Sequence, residues 1–149
     1  MGDRRIQPPT RPPAPRGPGL HAAPTGRPSY GACLPRVEAS ARPARRLIQH
    51  ALTAWGLDAL APDAQLLVTE MAANAVQHGH GTALSLTVAR LDDGVRVTVA
   101  DASRALPVLR HPADDAEHGR GLLLVAATAT RWGTDPHTWG KEVWAEVCR

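Results

Sequence analysis

The chain of 149 residues contains no phenylalanine and one tyrosine, and only 3% of its residues are aromatic. It has two cysteines, Cys33 and Cys148, and neither sits in a C-x-x-C pair. A thiolate metal centre, which needs about four convergent ligands, is therefore not supported. In a reduced cytoplasm two thiols are expected rather than one disulfide. No apolar run approaches the ~20 residues needed to cross a bilayer. Ile6 stands where a myristoylation signal needs Ser or Thr, and Arg4-Arg5 leads into prolines rather than an apolar stretch. These absences point to a soluble, cytoplasmic protein with no membrane partner. There is also no Walker A loop and no G-x-S-x-G elbow.

Proline, glycine and arginine are present, but unevenly. The first 36 residues hold nine of the fourteen prolines, five of the thirteen glycines and six arginines against a single acid, Asp3. Such a segment buries little, and residues 1–35 are expected to form a disordered tail. The other 113 residues carry eleven basic and thirteen acidic side chains, so the calculated pI of about 9.5 belongs mainly to the tail. The folded part shows no basic stripe with interleaved aromatics, and no direct nucleic-acid binding is expected of it.

The domain is expected over residues 36–149, with an extended piece around Ser29–Leu34 opening it. Ser40 is placed to N-cap a helix from Ala41 to about Trp55, with Leu47, Ile48, Ala51, Leu52 and Trp55 at helical spacing and Gly56 as the stop. Pro62 starts a second helix that runs to His78 and ends at Gly79. From Ala83 the period changes to two. "ALSLTVARL", "DDG" and "VRVTVAD" predict a hairpin with one buried face, ending on Asp101. A long polar loop follows, then "LLLVAATAT" as a third helix and "RWGTDPHTWGKEVWAEV" as a closing strand pair. Trp132 and Trp144 are expected in the core, and Trp139, in the turn, toward a partner. The order predicts an α+β, two-layer sandwich with helices on one face of a mixed sheet.

The second helix holds the most informative stretch, "TEMAANAVQHG" over residues 69–79. Glu70, Asn74 and His78 follow one another at i, i+4 in a helix that is apolar nearly all round. Either Glu70 and Asn74 satisfy each other, or the row lines a cleft that a ligand fills. Downstream, Asp101 ends a strand, and "EHGRGLLLV" places Gly119 and Gly121 directly before a helix. Glycines there let phosphate oxygens approach backbone N–H groups and the positive end of the helix dipole.

Taken in order, "LLVTEMAANAVQHG", "VTVADASRALPVLR", "EHGRGLLLV" and "WGKEVWAEV" resemble the N box, two glycine-type boxes and last strand of GHKL (Bergerat-fold) ATP-binding proteins. The branch of small bacterial anti-sigma-factor serine/threonine kinases is the most similar. The resemblance covers roughly residues 36–148 and implies a Bergerat-type domain that uses ATP and Mg²⁺. It implies that Asn74 holds the metal, that Glu70 is the catalytic acid or base, and that Asp101 meets the adenine amino group. Gly119, Arg120 and Gly121 would meet the phosphates, under a lid from Ala102 to His118. His78 is read as a helix-end residue. The implied activity is phosphorylation of a serine or threonine on a small antagonist protein, with an anti-sigma antagonist or a sigma factor as partner and a possible homodimer. The alternative is a non-catalytic, nucleotide-responsive module that sequesters a regulatory partner. Two departures stand out: Ser103 replaces a glycine of the family pattern, and Lys141 replaces a threonine. Lys141 is expected to face solvent or a partner.

Overall fold

The computed structural model describes residues 19–22, 27–103 and 120–149. Among the described residues six strands form the sheet: β1 (Gly19–Ala22), β2 (Pro28–Pro35), β3 (Ala83–Arg90), β4 (Gly94–Asp101), β5 (Arg131–His137) and β6 (Gly140–Cys148). Their order is β1-β2-β3-β4-β6-β5, and every pairing among the described residues is antiparallel. The expected mixed sheet is corrected on this point. The connection from β4 through the third helix places β5 outside β6, and the β5–β6 hairpin folds β6 back beside β4. β5 runs parallel to β4 but is not its neighbour.

Three helices, α1 (Ala41–Ala54), α2 (Ala61–His78) and α3 (Arg120–Thr128), cover one face, which makes the two-layer α+β sandwich that the element order predicts. Period two decides which strand residues meet them. Leu84, Leu86 and Val88 of β3, Val95, Val97 and Val99 of β4, and Val143, Ala145 and Val147 of β6 are all buried on the helix side. α1 contributes Leu47, Ile48, Ala51 and Leu52, and α2 contributes Leu67, Val68, Met71 and Ala75. α2 is apolar nearly all round because it is the middle helix: it lies over β4 and β6 and has α1 on one flank and α3 on the other.

The folded region starts earlier than residue 36. β2 pairs with β3 from Ser29 to Pro35, and its Tyr30, Ala32 and Leu34 alternate onto the helix side. The Tyr30 ring lies 5.5 Å from that of Trp55 and 5.6 Å from that of His50, which ties β2 to α1. This is the extended piece expected around Ser29–Leu34; its two prolines, Pro28 and Pro35, sit at its ends and interrupt no hydrophobic alternation. Ser40 precedes α1 as expected, but its hydroxyl donates to the Pro35 carbonyl at 2.6 Å instead of capping the helix. Trp132 packs against the core, whereas Trp144 lies on the open face of the sheet under the Arg96 guanidinium, 4.3 Å from the ring centre. Trp139 stacks on His137 at 4.6 Å. Both cysteines are free, and strands β3 and β4 lie between them. Among the described residues no helix is long and apolar enough to cross a membrane.

Candidate functional site

α2 begins with Pro62 in its first turn and ends at Gly79, whose N–H donates to the Ala75 carbonyl at 2.9 Å. Leu67, Met71 and Ala75 are buried on one side of the Glu70–Asn74 row, and Leu66, Ala73 and Gln77 are exposed on the other. Glu70 and Asn74 are half-buried, on the rim between core and solvent. Among the described residues neither forms a hydrogen bond or ion pair, so the two do not satisfy each other. Their oxygens remain available to a ligand. His78 is exposed in the last turn of the helix.

α3 closes on this row. A Cβ built on Gly121 would lie 3.0 Å from a Glu70 carboxylate oxygen, so α3 enters against Glu70 through a residue with no side chain. Arg120 is the first residue of α3, whose leading N–H groups have no partner within the helix. Gly119 and residues 104–118 of the expected lid lie outside the described residues.

The other end of α2 meets Asp101. A Cβ on Gly79 would lie 3.1 Å from the Asp101 carboxyl carbon. From Glu70 to Gly79 is nine helical residues, a rise of about 13 Å at 1.5 Å per residue. Asn74 stands between. Arg36 braces this end: its guanidinium donates to the carbonyls of Val76 and Gly81, each at 2.6 Å, and its backbone N–H to Thr82 at 3.0 Å. It thereby satisfies a carbonyl that the helix end leaves open. Nothing in the sequence pattern marks Arg36 for this task, because its partners are 40 and 45 residues away.

Asp101 is itself buried at the end of β4. One carboxylate oxygen, Oδ1, accepts the Ser103 backbone N–H at 2.6 Å. The other, Oδ2, lies 3.5 Å from the Nζ of Lys141, and both side chains are only 2% exposed. The expectation that Lys141 faces solvent or a partner is therefore wrong. Asp101 and Lys141 are direct partners in the β4–β6 register, next to Val99 and Val143. Lys141 has the same parity as Val143, Ala145 and Val147, which all point to the helix layer, and that alternation was the signal available. Gly140 makes the approach possible: its φ of 154° suits glycine, and a Cβ there would fall 2.1 Å from the Asp101 carbonyl oxygen.

The described residues thus align Gly121, Glu70, Asn74 and the Asp101–Lys141 pair along one helix. Oxygen donors from a half-buried carboxylate and amide suit a hard divalent ion that keeps phosphate and water ligands. The leading N–H groups of α3, where Gly121 carries no side chain, suit an anion. These features fit a magnesium-bound nucleoside triphosphate. A shallow groove at Arg27, Pro28, Arg90, Leu91 and Asp92 is lined at the β3–β4 turn, remote from this row.

Comparison with known proteins agrees with that chemistry. The family model described as Histidine kinase-like ATPase domain matches residues 34–146. No curated protein matches the chain.

Proposed function

Because the chain belongs to the histidine kinase-like ATPase domain family, a family of ATP-binding domains, we propose that it is a regulatory serine/threonine protein kinase of the anti-sigma type. Its acceptor would be a hydroxyl on a small antagonist protein, and a sigma factor a further partner. The observation that supports the nucleotide part of this reading is the spacing along α2. Glu70 against Gly121 at one end and Asp101 at the other lie about 13 Å apart along the helix axis, a span suited to an extended nucleoside triphosphate.

Bound Mg-ATP would supply the phosphoryl group, with the metal offsetting phosphate charge. Asn74 would hold the metal through its amide oxygen, and the N–H groups at the start of α3, from Arg120 and Gly121, would face the phosphates, with Gly119 preceding them. Asp101 would orient the base. Glu70, half-buried and without a hydrogen bond or ion pair among the described residues, would accept the proton of the incoming seryl or threonyl hydroxyl. Leu67 and Met71, packed beneath the row, hold it on a rigid element.

Two variants test the reading. Asn74→Ala should weaken Mg-ATP binding at least about tenfold by calorimetry, because a metal ligand is lost. Glu70→Ala should keep that binding but slow transfer of labelled phosphate to an antagonist domain by about a hundredfold or more. Equal Mg-ATP affinity of wild type and Asn74→Ala would remove the basis for a nucleotide site.

A further inference from the structure

Arg36 lies outside the row of candidate ligands, yet it governs the turn on which Asp101 rests. That turn joins the end of α2 to the start of β3 and runs from Gln77 to Thr82. A Cβ on its Gly79 would fall 2.2 Å from the Ala75 carbonyl oxygen and 3.1 Å from the Asp101 carboxyl carbon. Gly81 has a φ of 85°, in the left-handed region, and Ala102 lies beside it. Between the two glycines, the His80 carbonyl accepts the Ala102 backbone N–H at 3.4 Å. The turn thus packs against Asp101 and the residue that follows it.

Glycines give a turn freedom that costs entropy to remove. Among the described residues no side chain from Gln77 to Thr82 forms a hydrogen bond or ion pair, so the turn does not stiffen itself. Arg36 stiffens it from outside. Its Nη1 donates to the Val76 carbonyl on one side of the turn and its Nε to the Gly81 carbonyl on the other, each at 2.6 Å. A planar guanidinium holds those two carbonyls at a fixed separation, and its charge suits the negative end of α2. Arg36 is itself anchored to the sheet. Its N–H bond to Thr82 extends the β2–β3 ladder one step beyond Pro35 and Ala83. The Pro35 carbonyl in turn takes the Ser40 hydroxyl at 2.6 Å and the Val37 N–H at 2.9 Å.

We propose that Arg36 is a positioning residue for the base end of the nucleotide site. It acts through the turn: by clamping Val76 to Gly81 it holds Gly79 and His80 against Asp101 and Ala102, and so sets the place of the Asp101 carboxylate. The proposal rests on the reading that Asp101 orients the base. Arg36 has no part in holding metal or phosphate.

Calorimetric titration of the full chain with Mg-ATP and Mg-UTP tests it without turnover, beside thermal melts that show each variant folded. UTP carries the same metal and phosphates. Uracil, however, presents a carbonyl where adenine presents an amino donor, so it gains less from Asp101. Wild type should bind ATP more tightly than UTP. Arg36→Ala should weaken ATP binding about tenfold, the worth of about one charge-assisted hydrogen bond, and UTP binding much less. Arg36→Lys keeps the charge but loses the planar fork, and it should still cost ATP more affinity than UTP.

Full ATP affinity in a folded Arg36→Ala would overturn the proposal. Equal losses for ATP and UTP would overturn it too, by tying Arg36 to the whole fold rather than to the base end. So would full recovery in Arg36→Lys, which would show that charge and not the clamp is at work. Wild type that binds ATP and UTP equally would leave the nucleotide site standing but remove the assignment of Asp101 to the base, and this proposal with it. Wild type that binds neither would remove the nucleotide reading as well. If Arg36→Ala does not fold, Arg36→Lys decides the matter by the same two titrations.

Discussion

Strands β4 and β6 carry two ionic groups that could hardly be built more differently. On the open face, Glu146 is 1% exposed and lies between Arg96 of β4 and Arg131 of β5. Each carboxylate oxygen accepts two N–H groups from one guanidinium, at 2.9 and 2.6 Å. Burial by itself would raise the Glu146 pKa, but the hydrogen bonds from Arg96 and Arg131 override it and hold the carboxyl below its ordinary value. On the helix face, at the other end of the same strands, Asp101 and Lys141 stay 3.5 Å apart. The first group is saturated and joins three strands. The second is buried at least as deeply on average, and it is a single pair across two strands. Two charges removed from water are costly unless they are paired, and in both groups the partner of opposite charge is supplied by a neighbouring strand.

The comparison can be broken from its expensive side first. Asp101→Ala would leave the Lys141 ammonium sealed without an anion and should cost about 3–5 kcal/mol in urea denaturation. Asp101→Leu combined with Lys141→Met should recover most of that loss, because apolar replacement of a buried ion pair is often neutral. A double variant as unstable as the single one would show the pair to be structural. Glu146→Gln should cost less, about 1.5–3 kcal/mol, since Arg96 and Arg131 are 39% and 70% exposed and can rehydrate. It should leave nucleotide affinity unchanged.

Acid should separate the two groups further. A carboxyl with a lowered folded pKa stabilises the protein above its unfolded value of ~4.3. That stabilisation is lost as pH falls through the folded value. The gap in stability between wild type and Glu146→Gln should therefore be full at neutral pH and shrink below about pH 4.3. A gap that grows on acidification would contradict the arrangement. The smallest effect belongs to Arg27 and Asp92, 3.1 Å apart with side chains 40% and 92% exposed. Arg27→Ala should change stability by less than about 1 kcal/mol, and salt should erase the difference.

Much of this was legible without coordinates. The helices at Ala41 and Ala61, the hairpin from Ala83 to Asp101 and the last strand pair follow from period and turn chemistry, because those signals are local. The family was legible from four ordered motifs, and the match over residues 34–146 supports it. The mixed sheet and the Ser40 cap were corrected above, and further readings differed for different reasons. The strand expected around Ser29–Leu34 is β2, although composition had drawn the tail boundary at residue 35. Trp144 was assigned to the core although it alternates with Val143 and Ala145, which face the helices. Lys141 was sent outward because charge was weighed above parity, when its place beside Val143 already put it on the buried face.

The sequence by itself determined which residues share a face, since the backbone period of a strand or helix is a property of the local chain. It also determined that Glu70 and Asn74 lie one turn apart on α2. Only the tertiary structure decided that β6, and not β5, lies beside β4, and so that Asp101 meets Lys141 forty residues away. It alone set Gly121 against Glu70 and Arg36 against the end of α2. Pairing partners of this kind depend on how distant segments bury their apolar faces together, and no local period encodes that choice.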